Sequence, residues 1–362
     1  MPSRFISIKK SDPIFSKYLW GHGEDGVKII PIQSLNFGSA EETVTFEFKP
    51  LSEITKPPLF ELISSIIKLK SFILILFPLF FVLTRSIILN QLRDPFSLAF
   101  ATLALIFIFA GLNIRNDISD HLSGFDLINI PFSPKPIIKG WVTAHQLSTL
   151  SWVLMITGIV LSLPVLILQQ QEIIVVGIVA VLLIAGQFFE KNSYKEKEFG
   201  ELILFVLMGI GVVAGFQIAM GSKINTEIAL FGVFWGAVIL FLVHINNFSH
   251  LLTSTQAGIK NSVTALGFDK AKKFLMAWWV LCLLTWLFLH LYFTHSLIIW
   301  VQSVVLLVVS VPLLKKLHQI RSPLGSDLVE VRKLAYKTFL AMVFLFFIEC
   351  IWYLAHDAYG KI

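Results

Sequence analysis

Long apolar stretches, separated by short polar segments, dominate this chain from residue 71 onward. About 20 apolar residues cross a bilayer as a helix, and shorter segments can do so when they are packed inside a bundle. The pattern therefore predicts nine membrane-spanning helices, at residues 71–89, 96–113, 147–168, 173–189, 202–220, 226–245, 274–293, 297–314 and 339–355.

The composition agrees with a polytopic membrane protein and excludes a soluble globule. The 362 residues are 56% hydrophobic and 14% charged, with a mean hydropathy of +0.79. The net charge of +6 does not indicate a nucleic-acid partner, because the basic residues are spread over loops beside the apolar stretches. Cys282 and Cys350 lie far apart in apolar segments, so their spacing predicts neither a disulfide framework nor a metal site.

The distribution of basic residues predicts how the chain crosses the membrane. Alternate loops, at residues 114–146, 190–200, 246–273 and 315–337, hold 16 Lys and Arg, whereas the segments on the opposite side hold four. Loops rich in Lys and Arg stay in the cytoplasm. We therefore expect a protein of the bacterial inner membrane with a cytoplasmic N-terminus and a C-terminus on the opposite side.

The first 70 residues differ from the rest of the chain. Residues 1–56 are polar and rich in turn glycines, and the strict alternation at 43–49 predicts a strand or a hairpin. Residues 57–70 suit an amphipathic helix on the inner membrane surface. We predict an N-terminal extension at 1–56, this interfacial helix, and a transmembrane domain at 71–356. Whether the extension docks on the bundle or binds a protein partner stays open.

An acidic segment follows the second apolar stretch. Asn113, Asp117 and Asp120 have the spacing i, i+4 and i+7, which places them on one helix face. Gly124 should end the helix and return Asp126 on a loop. Ionisable groups at membrane depth face a bundle interior or a water-filled cavity, and clustered oxygen ligands suit Mg²⁺. The alternative is a hydrated loop that only terminates the helix.

Four polar segments carry motif-like residues at defined spacing. In chain order they are Asn116-Asp117-x-x-Asp120-x-x-x-Gly124-x-Asp126, Lys135-Pro136-x-x-Lys139-Gly140, Tyr194-Lys195-x-Lys197-x-x-Gly200-Glu201, and Asn246-Asn247-x-x-His250-x-x-x-Ser254. Their order resembles that of the UbiA superfamily of intramembrane prenyltransferases. The first segment resembles the first aspartate-rich motif of that family, and is most similar to its menaquinone-type, 1,4-dihydroxy-2-naphthoate prenyltransferase branch.

The resemblance implies a fold and a chemistry. The fold is an all-α, nine-helix UbiA-type bundle with a cytoplasm-facing polar cavity. The reaction transfers a prenyl group from a polyprenyl diphosphate to an acceptor, commonly an aromatic ring. By resemblance, Mg²⁺ is held by Asp117, Asp120 and Asp126, and the catalytic residues are Asp117, Asp120 and His250. The implied substrate-binding residues are Asn113, Asn116, Lys135, Lys139, Tyr194, Lys195, Lys197, Asn247 and Lys260. Each of these lysines also suits an anchor at the inner membrane surface.

The second aspartate-rich motif departs from the family pattern. Where the family has D-x-x-x-D, this chain has His250 and Ser254. Mg²⁺ favours oxygen ligands, whereas imidazole suits softer metals. On a continuous helix Asn247, His250 and Ser254 would still share a face. We therefore expect a polar pocket here, without a second metal held by protein carboxylates.

Three functions fit this departure. The first is an active prenyltransferase with one protein-bound Mg²⁺, in which His250 contacts the diphosphate or accepts a proton. The second is a degenerate member that binds a prenyl lipid or a quinone and serves as a subunit of a membrane complex. The third is a transporter that uses Asp117 and Asp120 as an ion site, although the acids lie at a helix end and no inverted repeat is evident.

Two polar residues in the late spans also carry expectations. Glu349 is an acid deep in the last apolar stretch, and we expect it to pair with a neighbouring helix. His290 lies at the outer end of the seventh predicted span, where an interfacial polar group is expected.

Overall fold

The structure, a computed structural model, describes residues 4–23, 26–33, 42–128, 135–168, 177, 200–293, 297–323 and 327–360. The protein is mostly helical, as predicted. Eight helices in these residues are long and apolar enough to cross a membrane: Leu69–Ile88, Pro95–Leu122, Ala144–Leu168, Glu201–Ala219, Thr226–Ser249, Ser262–Tyr292, Trp300–Gln319 and Asp327–Ala355. They match eight of the nine predicted spans, and the predicted span at 173–189 falls outside the described residues except for residue 177.

The secondary-structure elements are named in chain order. The strands are β1 Arg4–Lys9, β2 Val27–Gln33 and β3 Thr43–Pro50. The helices are α1 Pro13–Leu19, α2 Leu59–Ile67, α3 Ile73–Ile88, α4 Pro95–Leu122, α5 Phe125–Ile128, α6 Ala144–Leu168, α7 Glu201–Leu204, α8 Val212–Ala219, α9 Thr226–Ser249, α10 Leu251–Gln256, α11 Ser262–Phe293, α12 Leu297–Gln319 and α13 Asp327–Gly360. A π-helical segment, Phe205–Gly211, joins α7 to α8.

The chain divides into two compact units. The first unit contains Met1–Phe72, Leu103–Leu161 and Thr253–Ile259, and the second contains Ile73–Thr102, Ser162–Leu252 and Lys260–Ile362. The domain boundaries predicted at residues 56 and 70 stay predictions.

A small antiparallel sheet forms the N-terminal part of the first unit. Its strand order is β1-β3-β2, so the alternating segment found in the sequence becomes the central strand. Successive side chains of a strand point to opposite faces, so every second residue lies on the same face. Val44, Phe46 and Phe48 of β3 share one face in this way, and all three are buried. They pack with Phe15 and Leu19 of α1. The predicted β structure is confirmed.

A 3₁₀ turn, Leu51–Glu53, and a short connection join the sheet to helix α2. Leu59 and Phe60 at its start are 71% and 76% exposed, as suits a helix on a membrane surface. The helix is shorter than predicted because it ends at Lys68, which adopts the left-handed conformation with φ 55°. A 3₁₀ turn, Leu69–Phe72, leads into α3.

Glycines in the second unit let two of its helical segments approach each other closely. A Cβ atom on Gly209, in the π-helical segment, would lie 2.6 Å from the backbone nitrogen of Gly236 in α9. Gly232 and Gly236 are four residues apart, the small-residue spacing that lets membrane helices approach closely. Aromatic rings fill the space beside α9, where Phe81 stacks on Phe231 with centroids 3.7 Å apart. Both rings are buried, so they serve helix packing.

The second unit also contains a buried His–Glu pair. His290 Nε2 lies 2.8 Å from Glu349 Oε2, so Glu349 pairs with a neighbouring helix as expected. His290 is 1% exposed, however, and the expectation of an interfacial group is wrong. Its Nδ1 lies 2.7 Å from the Trp286 carbonyl, which can only accept, so Nδ1 carries a hydrogen.

Candidate functional site

The predicted acidic residues come together in the first unit. Helix α4 continues through the acidic segment to Leu122, so Asp117 and Asp120 lie one turn apart on its last turns. Gly124 reverses the chain with φ +75°, a conformation that glycine adopts without strain. Asp126 then lies in the single turn of α5, which corrects the expectation of a loop. The turn brings the Asp126 carboxyl back toward the end of α4.

All three carboxylates surround the side-chain amine of Lys135. Its Nζ lies 2.8 Å from Asp117 Oδ1, 3.3 Å from Asp120 Oδ2 and 3.2 Å from Asp126 Oδ1. A second amine, Lys68 Nζ, lies 2.7 Å from Asp117 Oδ1. The side chains of Asp117 and Asp126 are only 4% and 2% exposed. We call these three aspartates and two lysines the carboxylate cluster.

The electrostatics of the carboxylate cluster reflect burial and crowding. Burial raises the pKa of Asp126 to about 6, and Lys135 opposes this increase. The nearby carboxylates of Asp120 and Asp117 add to it. Burial alone would lower the pKa of Lys135, but the three carboxylates outweigh it and raise that pKa above its ordinary value. With every group ionised, the cluster carries one net negative charge.

The two predicted asparagines have different positions around the cluster. Asn116 Nδ2 lies 3.5 Å from Asp120 Oδ2. The Asn113 amide instead donates to the carbonyl of Ile67 at 3.0 Å and to Ser71 Oγ at 2.9 Å. Helix α2 ends beside Ile67, and the carbonyls of a last helical turn have no intrahelical donor. Asn113 therefore secures the segment that carries Lys68.

The N-terminal extension docks on the same unit. His121, which follows Asp120, is buried, and its Nε2 lies 3.0 Å from the Leu19 carbonyl. The Trp141 indole donates to the carbonyl of Thr55 at 3.1 Å. Within the first unit, the extension thus packs against the end of the helix that carries the carboxylates, and a protein partner stays a prediction.

The other predicted basic residues do not join the carboxylate cluster in the described part of the chain. Lys139 and Lys260 are exposed. Tyr194, Lys195 and Lys197 lie outside the described residues. Their predicted role in diphosphate binding stays a prediction.

The region of the altered second motif belongs largely to the second unit. Helix α9 ends at Ser249 and α10 begins at Leu251, so the predicted continuous helix face through His250 and Ser254 does not form. The Asn247 amide donates to Glu201 Oε1 at 2.8 Å, and the Ser262 hydroxyl donates to the same oxygen at 2.6 Å. Nothing in the local sequence indicates that Glu201 joins these two residues.

His250 has a basic partner. Its Nε2 lies 2.7 Å from Nη1 of Arg332 in α13. Because arginine carries donors only, Nε2 must accept this hydrogen bond, and the neutral ring then carries its hydrogen on Nδ1. The pair carries one positive charge, so the position of a family carboxylate is occupied here by a neutral ring beside a cation.

The sequence profile of the UbiA prenyltransferase family matches residues 71–328, which is most of the chain. The chain belongs to the UbiA prenyltransferase family. An ion transporter of unrelated mechanism would not be expected to match it. No curated protein matches the sequence.

Solved structures of UbiA proteins share this fold. A UbiA homologue from Archaeoglobus fulgidus, solved with GPP and Mg²⁺, has 13% sequence identity and a TM-score of 0.54, over 78% of this chain and 99% of that chain. A digeranylgeranylglyceryl phosphate synthase has 18% identity and a TM-score of 0.54, over 81% and 98%. A UbiA homologue from Aeropyrum pernix K1, solved in its apo form, has 13% identity and a TM-score of 0.51, over 76% and 98%.

Proposed function

We propose that this UbiA protein transfers a prenyl group from a polyprenyl diphosphate to a small aromatic acceptor in a Mg²⁺-dependent reaction. The observation that carries the proposal is the convergence of Asp117, Asp120 and Asp126 on a single cation position. The homologues from Archaeoglobus fulgidus, solved with GPP and Mg²⁺ and with DMAPP and Mg²⁺, support the choice of ligands.

The carboxylate cluster has the donor chemistry that suits a divalent cation, although among the described residues no three such side chains are arranged around a metal position. Three carboxylates already surround one positive charge, the Lys135 ammonium, and oxygen donors are the ligands that Mg²⁺ prefers. Asp117, Asp120 and Asp126 would hold the ion. When bound, Mg²⁺ would withdraw charge from the diphosphate and make it a better leaving group.

The chain's own residues would bind and orient the diphosphate. Among the described residues, Lys68 and Lys135 contact the carboxylates, and their charge can stabilise the negative charge that develops on the leaving group. The bond between the allylic carbon and the diphosphate oxygen breaks, and the diphosphate leaves with the electron pair. The carbon then bonds to the acceptor ring, which loses a proton to the released diphosphate. Lys139, Tyr194, Lys195, Lys197 and Lys260 remain proposed contacts to the diphosphate.

The second-motif region supports a modified role for His250. Its Nε2 lone pair is used by Arg332, so we do not place the proton acceptor at that atom. The hydrogen on Nδ1 and the charge of Arg332 instead suit contact with an anion. Asn247, held by Glu201, remains a proposed substrate-binding residue.

We further propose 1,4-dihydroxy-2-naphthoate as the acceptor, from the Gly124-x-Asp126 pattern. The basic loops support a cytoplasmic N-terminus and an opposite C-terminus in a bacterial inner membrane. A protein partner of the N-terminal extension also remains a proposal.

The test is Mg²⁺-dependent binding of geranyl diphosphate to the purified protein, followed by product analysis with naphthoate and benzoate acceptors. Asp117→Asn should abolish turnover, whereas Ser119→Ala, at an exposed position on the same helix turn, should retain it. A thiodiphosphate analogue should bind without reacting. Absence of Mg²⁺-dependent binding would refute the proposal.

The altered second motif favours one alternative, a pseudoenzyme that binds a prenyl lipid or a quinone without turnover. His250 and Ser254 supply no carboxylate there. In that case geranyl diphosphate would bind without product, and Asp117→Asn would change little. The variant combining His250→Asp and Ser254→Asp would raise activity only if the metal site is latent.

A further inference from the structure

The Lys135 ammonium lies where the proposed function requires a metal ion. Its Nζ contacts one oxygen from each of the three aspartates, at 2.8, 3.3 and 3.2 Å. Among the described residues, no group of three His, Cys, Asp or Glu side chains is arranged to hold a metal ion. The three carboxylates are arranged around an ammonium group.

The charge of the cluster explains why a cation occupies this position. Three carboxylates that share a small, poorly solvated space repel one another unless positive charge lies between them. The side chains of Asp117, Asp120 and Asp126 are 4%, 14% and 2% exposed, so water screens them little. Lys135 supplies the charge from within the chain, and its own side chain is 18% exposed.

The two lysines of the cluster are not equivalent. Lys68 contacts Asp117, whereas Lys135 contacts all three aspartates. A metal bound by the three carboxylates would compete with Lys135 for the same oxygens. A displaced Lys135 remains beside the metal, where its charge can meet an anion that arrives with it.

We propose that Lys135 is a built-in competitor of Mg²⁺, which holds the three carboxylates together in the ligand-free protein and yields its position when Mg²⁺ binds. The inference rests on the proposed function, because it takes the carboxylate cluster as the metal site. It adds a regulatory property, which is that Mg²⁺ should bind more readily together with a diphosphate. Mg²⁺ alone must displace Lys135 from its ion pairs, whereas a diphosphate gives the displaced Lys135 a new anionic partner.

The first test measures Mg²⁺ binding by calorimetry in the absence of diphosphate. Lys135→Met removes the competing charge and keeps most of the side-chain volume, so Mg²⁺ should bind about tenfold more tightly than to the wild type, which corresponds to about 1.4 kcal/mol. The matched control is Lys70→Met, which removes an exposed positive charge nearby in the chain. With geranyl diphosphate present, Lys135→Met should lose affinity for the diphosphate.

Three roles of Lys135 predict different results. A competitor gives tighter Mg²⁺ binding in Lys135→Met than in Lys70→Met. A lysine that only contacts diphosphate gives equal Mg²⁺ affinities, and a lysine that only assembles the carboxylates gives weaker binding in Lys135→Met. Either of the last two results would overturn the proposal.

A second measurement uses the unaltered protein and does not depend on how a variant folds. Amine acylation, mapped by mass spectrometry, should modify Lys135 several-fold faster after Mg²⁺ is added, while Lys70 changes little. Unchanged acylation of Lys135 at a Mg²⁺ concentration that saturates the protein would overturn the proposed displacement of Lys135 by Mg²⁺.

The inference and the proposed function can fail separately. Suppose that the wild type binds Mg²⁺ and geranyl diphosphate and forms product, but Lys135→Met binds Mg²⁺ no more tightly than Lys70→Met. The proposed competition between Lys135 and Mg²⁺ is then wrong, and the proposed function stands. If the wild type binds no Mg²⁺ with or without diphosphate, both the proposed function and the proposed competition between Lys135 and Mg²⁺ are wrong.

Discussion

Binding of Mg²⁺ to the carboxylate cluster should depend on pH through Asp126. Burial raises the pKa of this carboxyl group from 3.8 to about 6. Below pH 6 the ligand-free protein therefore holds a proton on Asp126, and the metal must displace it. A single such proton weakens apparent Mg²⁺ affinity about elevenfold at pH 5, about twofold at pH 6 and hardly at all at pH 7.

The same pKa makes a prediction of opposite sign for the metal-free protein. A carboxyl group whose pKa is raised on folding binds its proton more tightly in the folded state. Its contribution to stability is fully present below pH 3.8 and is lost as the pH rises through about 6. The increase corresponds to about 3 kcal/mol, which this one carboxyl group contributes to stability below pH 3.8 and no longer contributes well above pH 6.

Calorimetric Mg²⁺ titrations between pH 5 and pH 8, in buffers of different ionisation enthalpy, would give both the affinity and the number of protons released. We expect about one proton at pH 5 and almost none at pH 8. Asp126→Asn should bind Mg²⁺ more weakly, with the dependence between pH 5 and pH 7 removed. An affinity that stays constant from pH 5 to pH 7 in the wild type would refute the assignment of Asp126 as a buried ligand.

Three further predictions concern the scaffold. His290→Leu breaks the buried pair with Glu349 and should lower the free energy of unfolding by about 3–5 kcal/mol, measured by reversible unfolding in mixed detergents. The double variant His290→Leu, Glu349→Leu should lose less stability than the sum of the two single variants. Gly209→Ala places a Cβ atom against the backbone of α9 and should cost about 1–3 kcal/mol in the same assay, whereas Gly215→Ala, which meets open space, should not destabilise. His121→Ala leaves the Leu19 carbonyl without its imidazole donor and should cost about 1–3 kcal/mol; faster hydrogen exchange in α1 would report it, and unchanged exchange would contradict a role for His121 in docking the extension.

The apolar pattern predicted the bundle well because spanning a bilayer requires long apolar segments whatever their partners are. Alternation at residues 43–49 likewise predicted a strand, since a strand with one buried face needs apolar residues at every second position. Both features are local in sequence. The choice of β3 as the central strand depends on pairing with β1 and β2, which no local pattern contains.

Predictions failed where an interaction joins distant residues. The spacing of Asn113 and Asp117 predicted a common helix face, and both side chains do contact the Ile67–Lys68 segment, but no local pattern could identify that partner, which lies more than 40 positions earlier in the chain. A helical pattern was extended through His250, whereas α9 ends at Ser249 and Arg332 of α13 engages the imidazole. Glu201 ends the third motif-like segment of the sequence, but its partners could not be predicted, because only the fold brings Asn247 and Ser262 to its carboxylate.

The basic residues show most clearly what a count of charges can predict and what it cannot. The rule that assigns Lys and Arg to cytoplasmic loops uses their number and position, and it treats Lys135 as an anchor equivalent to Lys139. In the fold, Lys139 is exposed, whereas the Lys135 ammonium contacts three carboxylates. The two lysines are four residues apart and differ because Gly124 returns Asp126 toward α4 and completes an anionic site that one amine can fill. Membrane orientation depends on how many charges a loop has, whereas the chemistry of the site depends on which of them the fold buries.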